Sequence, residues 1–224
     1  PSAGVGEGRV YAPGPCAAPA GSGIGSAGKP RTDQRSGEHP VVAADSSSIA
    51  YLNGTWQPLE RCQVPINTHA LQYGTGCFEG IRGYWDGSRV NLLFLREHFR
   101  RLHGNARMLL MQAPSVEEMC AIAVKLVRDN AVDHNVYLRP VVYKCSTNLG
   151  PELSTEPDGF MCYLMPLQDY LDTAAGLDVC VSSWVRLDDN AIPTRAKATG
   201  GYLNSALAKS EAVLNLSLEA IFLN

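Results

Sequence analysis

Lys197 stands in a setting that an ordinary surface lysine does not need. It belongs to the stretch "AIPTRAKATGGYLNSALAKSEA" (191–212), which places it after Pro193 and before the pair Gly200–Gly201 and Tyr202. A loop lysine with glycines and a tyrosine close by can be desolvated, and its amine then becomes nucleophilic near neutral pH. The chemistry this suits is imine formation with an aldehyde cofactor, for which pyridoxal phosphate is the usual partner. On spacing alone, a plain surface lysine stays open as well.

Three other segments carry candidate chemistry. In "THALQYGTGCFEGIRGYW" (68–85), Gly74, Gly76, Gly80 and Gly83 are interleaved with Tyr73, Phe78 and Tyr84 around a single arginine, Arg82. Closely spaced glycines allow tight turns and close approach of backbone to a ligand. The aromatics suit an apolar cavity wall, and Arg82 suits either a carboxylate or bracing of the loop; a glycine-rich hairpin with core aromatics fits equally. Arg101 sits next to the apolar Leu102 in "REHFRRLHGNAR" (96–107), where a guanidinium on a rigid helix is suited to bidentate phosphate contact. A solvated helix face has the same appearance. Arg139 lies inside the apolar run "NVYLRPVVY" (135–143), where a charge must be paired or face a pocket.

Other constellations fail. The chain has no GxSxG or HExxH, and its five histidines (39, 69, 98, 103, 134) lack metal-ligand spacing. "GIGSAG" (23–28) followed by Lys29 approaches a phosphate-binding loop. No strand pattern precedes it, however, and Pro30 replaces the Ser or Thr that would bind magnesium. Seven cysteines occur singly without a CxxC, so they read as reduced, buried thiols of a cytoplasmic protein rather than a disulfide framework or zinc site. A net charge of −3 gives no electrostatic reason to expect nucleic acid or an anionic membrane as partner. No apolar run reaches the length of a membrane span.

These residues need elements to hold them. Residues 1–48 are rich in Gly, Pro, Ala and Ser, and are expected to be disordered or loosely attached. Asn53-Gly54 between two strand-like runs predicts a tight hairpin. Strands are expected over 89–95, 135–143, 159–167 and 176–184, with Pro140 implying an edge or an interrupted ladder. The spacing of Phe99, Leu102, Ala106 and Leu109 predicts an amphipathic helix over 96–111. A second helix is expected to start at Ser115 as its cap, with an apolar face of Met119, Ile122, Ala123 and Leu126. A last helix is expected over about 201–214. The fold class is α+β: a small domain over 49–172, then the start of a larger one over 173–224.

Seven blocks, in order, resemble the fold-type IV, pyridoxal-phosphate-dependent aminotransferases, and among them the branched-chain amino acid aminotransferases. They are "YLNGTW", "HALQYGTGCFEGIRGYW", "FLREHFRRLHGNARML", "VYLRPVVY", "VSSWVRL", "IPTRAKATGGYLNSALAKSEA" and "EAIFLN". The resemblance implies that Lys197 bonds to pyridoxal phosphate, that Arg101 holds its phosphate and that Tyr202 approaches its phenolic oxygen. It implies that Tyr73, Phe78, Gly80, Arg82, Tyr137 and Tyr170 shape the substrate cavity. Arg139 would then meet the distal carboxylate of glutamate or 2-oxoglutarate. The implied reaction is transamination of leucine, isoleucine and valine with 2-oxoglutarate by a cytoplasmic homodimer. A D-amino acid aminotransferase or an aminodeoxychorismate lyase of the same fold is the alternative enzyme, and a non-catalytic fragment the alternative to an enzyme. The family pattern continues beyond the point matched by "EAIFLN", so the chain is expected to be C-terminally truncated.

Overall fold

Asn53 and Gly54 have φ of 47° and 90°, the left-handed pair that a two-residue hairpin turn requires. They join β1 (Ile49–Leu52) to β2 (Thr55–Pro58). The Asn53 side chain then ties this turn to the body, accepting from the Phe160 amide at 2.9 Å and donating to the Tyr143 hydroxyl at 2.9 Å. The computed structural model describes residues 45–167 and 176–224. Residues 1–44 with their glycine-rich motif, and Tyr170, lie outside the described residues.

The remaining strands of the first sheet are β3 (Gly76–Phe78), β4 (Ile81–Trp85), β5 (Val90–Leu92), β6 (Val136–Lys144) and β7 (Asp158–Pro166). All pairs are antiparallel, in the order β2-β1-β7-β6-β4-β5, with β3 also on β6. Helices α2 (Leu95–Met108) and α3 (Val116–Asp129) cover one face. Phe99, Leu102 and Ala106 from α2, with Met119, Ile122, Ala123 and Leu126 from α3, pack on Ile81, Val136, Leu138, Val142 and Cys162. The Ser115 hydroxyl caps α3 by accepting from the Glu118 amide at 3.2 Å, as the sequence pattern predicts. Strand periodicity sends the alternate residues Tyr137, Arg139 and Val141 to the opposite face.

Two expectations need correction, and Pro140 takes the second of its two alternatives. Its strand is central, with β7 along its whole length on one side and β3 and β4 on the other, so the edge alternative does not hold and the interrupted ladder does. The ladder on its other side is interrupted: β3 ends opposite Val141 and β4 begins opposite Leu138. The Glu79 amide donates to the Pro140 carbonyl at 3.1 Å. A residue's N–H and C=O point to the same side of a strand, so the donor that proline lacks falls where no ladder bond is due. The expected strand 89–95 is only Val90–Leu92, since Phe94 adopts φ 48° and turns the chain into α2. Within the glycine-rich block lies a short helix, α1 (His69–Tyr73), which ends on left-handed Gly74. Five residues are too few to display a helical period.

The second layer is a parallel pair, β8 (Val179–Val185) and β9 (Glu219–Leu223), joined through α4 (Tyr202–Leu214). Glu211 anchors α4 to β8, accepting from the Ser182 hydroxyl at 2.5 Å and the Ser183 amide at 2.9 Å. Val179, Val181, Val185, Ile221 and Leu223 of this pair are exposed. Of the six described cysteines, all free, Cys77 and Cys162 are buried and the other four only half-buried, fewer than the sequence suggests. Burial pushes the Cys77 thiol up to about 12. No helix among the described residues is long and apolar enough to cross a membrane.

Candidate active site

Strand β3 has a partner on each edge. One edge pairs with β6, and the other holds the lysine segment: the Thr199 amide donates to the Gly76 carbonyl at 2.8 Å, and the Phe78 amide donates to the Lys197 carbonyl at 3.1 Å. Cys77 and Ala198 form the bridge between these bonds. The glycines explain how close the segment comes. A Cβ on Gly74 would lie 2.8 Å from the Gly200 Cα, and Gly74 has φ 66°. The Thr199 hydroxyl closes the contact on the Gly74 carbonyl at 2.6 Å.

So held, Lys197 places its Nζ 5.2 Å from the centre of the Phe78 ring and 5.6 Å from that of Tyr202. The two rings themselves are 4.7 Å apart. The surrounding cavity is about 280 Å³ and is lined by Arg101, Arg186, Arg195, Lys197, Tyr202 and Ser205 among others. Lys125, Lys144 and Lys209 are each in an ion pair, with Asp129, Asp158 and Glu219 respectively. Among the described residues, Lys197 is the lysine whose amine has no carboxylate partner.

Arg101 reaches the same cavity from α2 through a fixed contact. Its Nε donates to Glu79 Oε1 at 2.5 Å and its Nη2 to Glu79 Oε2 at 2.6 Å. His98 Nδ1 is 3.0 Å from the same Oε2. Glu79 is fully buried. Burial by itself would raise its carboxyl, but the Arg101 and His98 bonds outweigh it and hold the group below the usual carboxylate range. The Glu79 bond in turn raises the Arg101 guanidinium. Asn105, one turn further along α2 and buried, links the two halves of the site. With its amide oriented to satisfy both neighbours, it donates to the Arg101 carbonyl at 3.2 Å and accepts from the Lys197 amide at 3.3 Å.

Phe78, Gly80, Arg82, Tyr137 and Arg139 share the sheet face opposite the helices. The Arg139 guanidinium carbon is 4.5 Å from the Phe78 ring centre and 5.2 Å from that of Tyr137. Its Nη2 donates to the Tyr137 hydroxyl at 3.1 Å, while its buried Nε has no hydrogen-bond partner. No carboxylate pairs with Arg139 among the described residues, so the paired alternative does not hold there. Gly80 makes room for Tyr137: a Cβ there would be 1.9 Å from the Tyr137 oxygen. Arg82 lies across from Tyr137 in the β4–β6 register and donates to the Tyr84 hydroxyl at 3.4 Å.

Tyr73 stands apart from this group. Its hydroxyl accepts from the Gly150 amide at 3.1 Å, and it lines a smaller cavity of about 110 Å³ that shares Ile192, Ala198 and Gly201 with the lysine cavity. Sequence reasoning overlooked Glu79, Asn105 and Arg186. Glu79 carried a readable signal, a lone carboxylate in the apolar "CFEGI", by the same logic that singled out Arg139. Asn105 and Arg186 gave none.

The residues present suit pyridoxal phosphate: a free amine for the aldehyde, Arg101 and Arg186 for the phosphate, and aromatic rings for the pyridine. Comparisons with known proteins agree. The family model for class IV amino-transferases matches residues 76–224. A probable branched-chain-amino-acid aminotransferase of Aquifex aeolicus is 41% identical over 187 residues, covering 82% of this chain and 60% of that protein. The branched-chain-amino-acid aminotransferase of Escherichia coli K12 is 36% identical over 178 residues, covering 76% and 57%. The branched-chain aminotransferase of Thermoproteus uzoniensis, crystallised with norvaline, superposes with a TM-score of 0.77 at 34% identity, over 80% of this chain and 60% of that one. A T.th. branched-chain amino acid aminotransferase complexed with N-(5'-phosphopyridoxyl)-L-glutamate gives 0.74 at 34%, over 80% and 59%. The chain thus spans about 60% of the length of these relatives.

Proposed function

Because this chain belongs to the class IV aminotransferases, we propose that it transfers the amino group of leucine, isoleucine or valine to 2-oxoglutarate, with pyridoxal phosphate bound at Lys197. The relatives' names support the substrate class, and the T.th. enzyme's complex with a phosphopyridoxyl glutamate supports both cofactor and acceptor. The observation that carries the reading is the common neighbour of two cations. Phe78 stands against the Lys197 amine and against an Arg139 guanidinium that no carboxylate occupies.

When bound, pyridoxal phosphate supplies an electron-withdrawing ring that stabilises negative charge at the substrate α-carbon. The chain's own residues do the rest. Arg101 and Arg186 would hold the phosphate, and Tyr202 packs on Phe78 beside the amine. Lys197 Nζ would be the attachment point for the cofactor and, as a free amine, the base and acid for the substrate α-proton, a role typically worth on the order of 10²- to 10⁴-fold. Phe78 and Tyr137 offer an apolar wall to a branched aliphatic side chain. Arg139, behind that wall, offers a charge to the distal carboxylate of 2-oxoglutarate. Gly80 sets the wall's position, and Arg82 braces its rim. By the family resemblance Tyr73, on the smaller adjoining cavity, and Tyr170, outside the described residues, would also belong to the substrate cavity. The proposal includes a division of the chain near residue 172 and a cytoplasmic homodimer, both supported by the family resemblance.

The test is direct. With pyridoxal phosphate, leucine and 2-oxoglutarate, the chain should form L-glutamate and 4-methyl-2-oxopentanoate in equal amounts. Turnover of D-amino acids in place of leucine would favour the D-amino acid aminotransferase reading. Absence of any transamination by a chain that binds the cofactor would overturn the proposal.

A further inference from the structure

Arg101 has a side chain 56% exposed, and a free arginine in that position would sample many rotamers and lose them on binding a ligand. It is not free. Two of its nitrogens are already bonded to the fully buried Glu79 carboxylate, which leaves Nη1 outside the pair on a residue that lines the lysine cavity. Glu79 directly follows Phe78, whose amide fixes the Lys197 carbonyl. One dipeptide therefore sets both the lysine and the guanidinium, and the buried Asn105 amide ties the same two backbones a second time.

We infer that Glu79 is a positioning residue: it presets the distance between the Arg101 guanidinium and the Lys197 amine to suit a ligand that carries an aldehyde and a phosphate on one rigid ring. This rests on the reading that Arg101 takes the phosphate. A planar guanidinium gripped on one edge keeps a defined direction on the other, so the ordering cost is met before the ligand arrives. The opposite physical effect is also definite. A carboxylate beside a guanidinium subtracts from the charge that a phosphate meets, and if that effect dominated, removing it would tighten binding. The sign of the change separates the two.

The experiment measures dissociation constants of pyridoxal phosphate and phosphate-free pyridoxal, by absorbance, for the unmodified chain, E79Q, E79D and R101A. Inorganic phosphate serves as competitor, and thermal unfolding is followed in parallel. E79Q should weaken pyridoxal phosphate about tenfold or more, on the scale of one charge-assisted hydrogen bond, and should change pyridoxal little. E79D, which keeps the charge, should fall between E79Q and the unmodified chain. Tighter binding of pyridoxal phosphate by E79Q, or equal weakening of both ligands, would overturn the inference. Failure of both Glu79 variants to fold would overturn it too, by assigning the residue to folding. If R101A leaves the preference for the phosphorylated ligand intact, the Arg101 reading falls. If R101A abolishes that preference and E79Q keeps it, only the role of Glu79 falls.

Discussion

Arg139 lies with its guanidinium carbon 4.5 Å from the centre of the Phe78 ring, and Lys197 approaches the same ring to 5.2 Å. Phe78 is thus a neighbour of both cations, and in the proposed function Lys197 marks the reacting end of the site and Arg139 its recognition end. The buried Arg139 Nε without a partner is the kind of donor that a carboxylate would satisfy. The R139L substitution should therefore reduce kcat/KM for 2-oxoglutarate far more than for an aliphatic 2-oxo acid such as 4-methyl-2-oxopentanoate. A loss of about tenfold or more is expected for the first, in line with removal of a charged hydrogen bond. Equal losses would mean that Arg139 serves the strand and not the substrate.

Gly80 should be intolerant of a methyl group for a local reason. The added Cβ would sit 1.9 Å from the Tyr137 oxygen, and that oxygen is the acceptor for Arg139 Nη2. Tyr137 would have to swing away and release Arg139. G80A should cost about 1–3 kcal/mol, the usual range for overpacking, measured by denaturant unfolding. In a Y137A background the same change should cost much less. An equal cost in both backgrounds would show that the two residues do not meet.

Acid stability should depend on Glu79. Its folded-state carboxyl lies below its unfolded value, which is about 4.3. Its contribution is thus fully present above the unfolded value and is lost as pH falls through the depressed folded value. Unfolding free energy measured from neutral pH downward should fall less steeply for E79Q than for the unmodified chain. Parallel curves would place the acid sensitivity elsewhere.

Much of this arrangement can be read from local pattern. The Asn53-Gly54 turn, the Ser115 cap and the apolar faces of α2 and α3 depend on neighbours within a few residues, so they are visible in the chain itself. Arg139 stands out because a charge breaks its apolar run, and Lys197 because of its loop setting, whereas Arg101 looks like part of a solvated helix face and is singled out by the family resemblance. Non-local relations were not visible. Pro140 occurs in a central strand because its missing donor meets the jog between β3 and β4, and that jog exists only once both strands have docked. Asn105 looks like any polar residue in a helix, yet it joins segments 92 residues apart in the chain (197 − 105). Tyr73 shares the aromatic block with Phe78, but the end of α1 at Gly74 turns it toward Gly150.

The central claim is that Lys197 is the lysine joined to the cofactor. Borohydride reduction of the chain saturated with pyridoxal phosphate, followed by peptide mapping, tests it without need of turnover. The structure gives a specific expectation, since Lys125, Lys144 and Lys209 are each held by a carboxylate. One pyridoxyl group per chain should be found on the peptide containing Lys197, and K197A should abolish the label. Labelling at Lys29, Lys125, Lys144 or Lys209 that survives K197A would contradict the assignment.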